Sequence, residues 1–216
     1  MKQTFQTCLY LLVGLTWCGV LQVAKPAAAD TTTITPQAQF RGKVVDPGNS
    51  PLGHVRIRLA DTTSDEHKTA STNSDGQFWI AAHWTHPLDL EFTPGRASGL
   101  ASAIFTNLPA GQDRQMIVHL VKGFPLTGLI TFGGRALKGI VINIEPQDPS
   151  DMHEKIYGSG RACTKDDGIF TMVVAPGRKR LAIINRLYSN VIKETSREVT
   201  VSSDLNLGQI DLPAIQ

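Results

Sequence analysis

The chain repeats itself, and the repeat restricts its fold more than any other feature. The first copy opens Phe40-Arg41-Gly42-Lys43-Val44-Val45-Asp46, turns through Pro47 to Pro51, and continues Leu52-Gly53-His54-Val55-Arg56-Ile57-Arg58-Leu59. The second opens Leu126-Thr127-Gly128-Leu129-Ile130-Thr131-Phe132, turns through Gly133 to Ala136, and continues Leu137-Lys138-Gly139-Ile140-Val141-Ile142-Asn143-Ile144. The offset is 86 residues before the turn (126 − 40) and 85 after it (140 − 55), so the second turn is one residue shorter. Val55, Ile57 and Leu59 correspond to Ile140, Ile142 and Ile144. Both sets alternate with period two, the pattern of a half-buried strand.

A second block recurs with sharper identity. Thr72-Asn73-Ser74-Asp75-Gly76-Gln77-Phe78 parallels Thr164-Lys165-Asp166-Asp167-Gly168-Ile169-Phe170 at an offset of 92 (164 − 72). Asp-Gly fits a tight hairpin, because glycine accepts positive φ and the aspartate caps its own turn. Val118 and Leu120 match Ile210 and Leu212 at the same offset. The change from 85 to 92 places an insertion of about seven residues within Glu145 to Ala162, a Pro-, Asp-, Ser- and Gly-rich stretch that reads as an extended loop. Deletion of residues 145–162 is therefore expected to leave the fold intact. Sustained helical periodicity is absent, and short strands with Gly/Pro turns point to an all-β sandwich or barrel.

The order G-x-V-x-D, turn, P-L-x-x-V-x-I-x-L, T-x-x-D-G-x-F, then a Pro-Gly turn (Pro94-Gly95, Pro176-Gly177) resembles the carboxypeptidase regulatory-like domain. Relatives of that family include transthyretin and the B-type repeats of collagen-binding adhesins. The resemblance covers about residues 38–121 and 126–213; the second copy departs from it with Ala136, where the pattern favours proline. It implies an all-β chain of two tandem seven-stranded Greek-key, prealbumin-like β-sandwiches, related to carbohydrate-binding folds, usually extracytoplasmic and without catalytic residues. The expected organisation is a signal peptide at 1–29, a leader at 30–37, one sandwich at 38–121, a short linker at 122–126 and a second sandwich at 126–216. Phe124 and Pro125 make that linker a stiff joint, with Gly123 allowing one bend, so a rigid two-bead rod is expected. These motifs specify turns and core, and so speak to fold more than to function.

The signal-peptide reading rests on Lys2, the apolar run Leu9 to Leu21, and Ala27-Ala28-Ala29 before Asp30. The run is shorter than the about 20 apolar residues that span a bilayer, so no membrane span is expected after cleavage. Cleavage removes Lys2 and Lys25, taking 21 basic residues to 19 against 19 acidic ones. A neutral chain lacks the basic excess of a nucleic-acid binder. Cys8 and Cys18 leave as well, so Cys163 has no internal disulfide partner and is either buried and inert, the commoner case, or a route to intermolecular pairing. The expected location is extracytoplasmic: secreted, periplasmic or at the cell envelope.

Catalytic patterns are weak. His83 and His86 form H-x-x-H, but a metal site needs a third ligand such as Asp89 or Glu91, and the spacing is not a zinc pattern. Asp61, Asp65, Glu66, His67 and Asp75 do not form an EF-hand frame. No G-x-S-x-G elbow occurs, and Cys163 has no patterned His or Asn partner. Asn143, out of phase with Ile142 and Ile144, is expected to face outward and offers no Lys-Asn crosslink. Arg178-Lys179-Arg180 reads as a solvated edge that discourages strand pairing.

Two tryptophans remain as candidate ligand-binding residues. With Phe78 and Ile80 inward, Trp79 points out of the opposite face, where the second copy has Thr171. An exposed indole is a natural platform for a sugar ring, and Trp84, at or beyond the strand end, is a candidate for the same edge. The alternative is that Trp79 covers its own sheet or seals the joint. The expected function is a non-catalytic exported module binding an extracytoplasmic protein or glycan, with no cofactor, no metal and no nucleic acid. The alternatives are a structural spacer in an envelope assembly and a small metal-dependent hydrolase using His83 and His86.

Overall fold

A computed structural model describes residues 38–184 and 195–214, so residues 1–29 and the leader at 30–37 lie outside the described residues. The first half contains β1 (Ala38–Val45), β2 (Arg56–Asp61), β3 (His67–Ser71), β4 (Gln77–Ala82), β5 (Leu88–Thr93), β6 (Ala103–Leu108) and β7 (Arg114–His119). They form a three-stranded sheet β4-β1-β7 and a four-stranded sheet β3-β2-β5-β6. Strand β1 pairs antiparallel with β4 and parallel with β7. The period-two pattern places Phe40, Val44, Phe78 and Ile80 from one sheet against Ile57, Leu59, Leu90 and Phe92 from the other. Phe78 meets Phe92 edge-on at 5.1 Å between ring centroids, and Phe92 meets Phe105 at 5.9 Å. Phe78 and Phe92, both buried, each contribute roughly 1.5–3 kcal/mol by leaving water.

The second half repeats the plan with β8 (Phe124–Phe132), β9 (Arg135–Ala136), β10 (Val141–Pro146), α1 (Met152–Gly158), β11 (Gly160–Cys163), β12 (Ile169–Val174), β13 (Gly177–Ile184), β14 (Thr195–Val201) and β15 (Leu205–Asp211). The sheets run β12-β8-β15, with β9 also on β8, and β11-β10-β13-β14. Leu126, Ile130, Ile140, Ile142, Ile144 and Phe170 are central to a second core.

The repeat extends to individual hydrogen bonds. Thr72 Oγ1 donates to the Leu52 carbonyl at 2.6 Å and accepts from Val55 N at 2.9 Å; Thr164 Oγ1 does the same with Leu137 and Ile140 at the same two distances. Both threonines are buried, at 3% and 4% exposure. Gly76 and Gly168 take φ of 72° and 73° in the Asp-Gly turns, where a side chain would be strained. The backbone N–H of Val44 donates to Gly76, as that of Ile130 does to Gly168. One turn, one strand and one buried hydroxyl thus form a unit used twice.

The insertion is not the extended loop expected over residues 145–162. β10 continues to Pro146, α1 occupies Met152–Gly158, and β11 begins at Gly160. Asp151 caps the helix by accepting from Glu154 N at 2.7 Å, and the Glu154 carboxylate accepts from both N and Oγ of Ser150. The helix carries Tyr157, 9% exposed, into the core of the first half, with Ile156 packed alongside. Phe105 and Tyr157 meet edge-on at 6.3 Å. Deletion of 145–162 would therefore strip α1, most of β11 and the end of β10 and uncover a core, contrary to the sequence-based expectation.

The joint is short and paired. Residues 124–126 of the expected linker already belong to β8. Gly123 N donates to Gly99 O, Ala101 N donates to Val121 O, and Leu100 bridges Lys122. A Cβ on Gly123 would lie 2.7 Å from the Val174 carbonyl oxygen, so close approach requires glycine there.

Candidate functional site

Trp79 sits in the middle of β4 between inward Phe78 and Ile80, and the alternation turns its indole outward, leaving it 60% exposed. Arg41 on β1 is its cross-strand neighbour, and Gln115 on β7 is the next residue along that row. With Ser71, Asn73 and Gln77 these side chains and the indole line an open depression of about 490 Å³. Trp79 also lines a second depression, with Lys68 and His83. An exposed aromatic face with amide, hydroxyl and guanidinium groups around it can stack an apolar ring face and hydrogen-bond that ring's edges.

Trp84 does not share this platform. It is half-buried, packs against the first core, and its Nε1 donates to Glu66 Oε2 at 2.8 Å. None of the depressions that Trp79 lines includes Trp84. The expected Trp pair is therefore one exposed platform and one indole anchored by a loop carboxylate.

The histidines are also apart in role. His86 Nδ1 lies 3.2 Å from Asp61 Oδ2. Asp61 is buried, and bonds from the Thr63 hydroxyl and backbone N–H, with a smaller contribution from His86, hold its carboxyl at about 2. His83 instead lines the depression beside Trp79. Among the described residues, no group of three or more His, Cys, Asp or Glu is placed to hold a metal ion.

Two residues depart from the commoner reading. Cys163 is exposed, because it ends β11 at the edge of its sheet and lies out of phase with the buried positions of β10 opposite. Lys179 is not part of a solvated edge: β13 is an interior strand whose alternation exposes Arg178 and Arg180 and buries Lys179 to 1%. Burial pushes the Lys179 amine below the usual lysine range, and the Glu154 charge partly opposes this. Asn143 accepts from Arg161 Nε at 3.1 Å across the β10–β11 pair.

Among solved structures the chain is similar to the Bacillus anthracis TIE protein, with 14% identity over 82% of this chain and 34% of that one and a TM-score of 0.34. It is similar to a streptococcal ancillary pilin at 13% identity, 83% and 63% coverage and a TM-score of 0.33. It is similar to the shaft pilin SpaA of Lactobacillus rhamnosus GG at 13% identity, 84% and 98% coverage and a TM-score of 0.34. The chain spans about a third of the first of these proteins and under two thirds of the second. No curated protein matches it. Among the described residues, no helix is long and apolar enough to cross a membrane. Residues 39–121, which span the first two sheets, match the model of the carboxypeptidase regulatory-like domain.

Proposed function

We propose that the chain is an exported, non-catalytic module of two tandem carboxypeptidase regulatory-like sandwiches, at 38–121 and 126–216, that binds a glycan through Trp79. The observation that carries this reading is the 60% exposure of Trp79 in a strand whose flanking residues are core. The equivalent Thr171 in the second copy means that the fold does not require an aromatic there. The polar rim of Arg41, Asn73, Gln77 and Gln115 supplies hydrogen-bonding groups for a sugar's hydroxyls around the indole face. The shared threonine staples and turns support the second copy as a duplicate of the first. Residues 1–29 carry the pattern of a cleaved export signal, which supports a location outside the cytoplasm.

The test is a calorimetric titration with a panel of neutral envelope and plant polysaccharides. Saturable binding abolished by Trp79→Ala and retained by Trp79→Phe is the expected result. A flat response across the panel sinks the glycan reading and favours a spacer. That second reading has its own support in the paired joint at Gly123 and the packing of Tyr157 on Phe105, which fix one half against the other.

A further inference from the structure

A groove runs between the outer face of the β3-β2-β5-β6 sheet and strand β11 of the second half. It consists of two adjoining depressions of about 460 and 300 Å³ that share Arg56, Arg161, Ala162 and Cys163. Its lining includes four guanidinium groups: Arg56 and Arg58 from β2, Arg96 from the turn after β5, and Arg161 from β11. The alternation that sends Ile57 and Leu59 into the core is what sends Arg56 and Arg58 out to the groove. Glu91 is the lone carboxylate of the lining, so four cations face one anion. Glu91 is 6% exposed and accepts from Thr93 Oγ1 at 3.0 Å.

Among the described residues, Arg56, Arg58 and Arg96 have no carboxylate within ion-pair distance, and Arg161 donates only to the neutral Asn143 amide. Both walls of one groove thus present cations to each other, with Glu91, across the strand pair from Arg58, as the single counter-charge in the lining. Like charges held together in a concave, partly desolvated surface raise the local potential and attract an anion. Guanidinium is also the side chain best suited to forked bonding of carboxylate, sulfate or phosphate.

A second observation points to the same place. His54, at the groove rim, holds φ of 59°, whereas its counterpart in the second copy is Gly139 at 76°. The turn works with glycine, at lower backbone cost. The first copy nevertheless carries a side chain there, and strained residues of this kind cluster at functional sites.

We propose that this groove binds an anionic polysaccharide, a linear chain bearing carboxylate or sulfate groups. The hydroxyls of Thr69, Thr93, Ser102 and Thr171 lie in the same lining and suit a ligand that alternates charge with hydroxyl. The lining holds no phenyl or indole ring, so it lacks the large aromatic platforms on which single-stranded nucleic acid usually stacks. This site is separate from the Trp79 platform and does not depend on it.

Cys163 lies in the groove and serves as the reporter. The experiment measures alkylation of Cys163 in the full chain, resolved by peptide mass, with heparin oligosaccharides and polygalacturonate as probes and neutral dextran as control. The expected result is slowing of alkylation by about tenfold at saturation by an acidic probe, no slowing by dextran, and loss of protection as salt rises toward 1 M. Arg56→Gln with Arg58→Gln weakens the apparent affinity by about tenfold or more, because two charge-assisted hydrogen-bonding groups are removed. Arg135→Gln, on the remote β9, leaves it unchanged. His54→Gly weakens binding without lowering the unfolding midpoint, which separates a ligand-binding role from a fold defect. Equal protection of the parent and the double arginine variant overturns the proposal. So does protection by polyglutamate or inorganic polyphosphate as strong as that by the acidic sugars, which would reduce the groove to unselective charge.

Discussion

The most decisive perturbation of the fold is Thr72→Val. Valine has the shape of threonine but no hydroxyl, so the change removes two hydrogen bonds and little packing. Val55 N–H loses its acceptor at 2.9 Å in a buried setting, and the Leu52 carbonyl loses its donor at 2.6 Å in a half-buried one. A buried group left unpaired costs about 1–3 kcal/mol, and the Leu52 carbonyl, nearer water, takes the lower part of that range. The expected loss is about 2–4 kcal/mol by the same reckoning. With a urea slope near the upper end of the range, about 3 kcal/mol per molar for a protein of this size, the midpoint falls by about 1 M. Unfolding is followed by tryptophan fluorescence, since Trp79 and Trp84 both report on the first half. Thr72→Ser keeps the hydroxyl and should retain most of the stability, and Thr164→Val should behave like Thr72→Val when followed by hydrogen exchange of the second half. A Thr72→Val midpoint within error of the parent, or a Thr72→Ser loss as large, refutes the assignment of that hydroxyl as the staple.

Asp61 keeps its charge to about pH 2 in the native state against an ordinary value of 3.8, so its contribution is full above 3.8 and is lost as pH falls through about 2; Asp61→Asn should flatten that part of the acid-unfolding curve. Lys179 has a lowered native value, so the native state should gain stability as pH rises through it toward 10.5; Lys179→Met should remove that rise and, in thermal unfolding at neutral pH, lose no more than about 1 kcal/mol. Gly123→Ala drives a methyl against the Val174 carbonyl, which is backbone and cannot swing away, and should cost about 1–3 kcal/mol in the urea midpoint; a neutral substitution would show that the joint is loose.

The inward and outward faces of the strands and both cores are legible from the alternation, because period two fixes which side chains enter a core once the turns are placed. Phe78 and Phe170, Ile57 and Ile142, and the glycines of the two Asp-Gly turns all stand where the repeat puts them. The helix is not legible, for a specific reason. Seven residues are too few for a periodic signal, and Asp148 to Glu154 has the composition of a solvated acidic loop. The readable sign is the spacing of Asp151 and Glu154, which matches a capped N-terminus. Lys179 reads as exposed because three adjacent bases suggest a solvated edge until the strand's neighbours are known. Trp79 is legible because its flanks are core; the groove is not, because it needs the second half laid beside the first.

Where the two copies agree, the residues belong to the fold: threonine staple, Asp-Gly turn, inward phenylalanine. Where they disagree, the fold imposes no choice, and those positions are free to carry function. Trp79 faces solvent where the second copy has Thr171, and His54 occupies a left-handed position that Gly139 fills at less cost. The insertion goes further. It supplies Tyr157 to the core of the first half, and β11 directly after it brings Arg161 and Cys163 to the groove beside Arg56 and Arg58. One stretch thus fixes the halves together and completes a surface that neither half has alone. A duplication without the helix would keep β11, the counterpart of β3, but would take Tyr157 out of the first core.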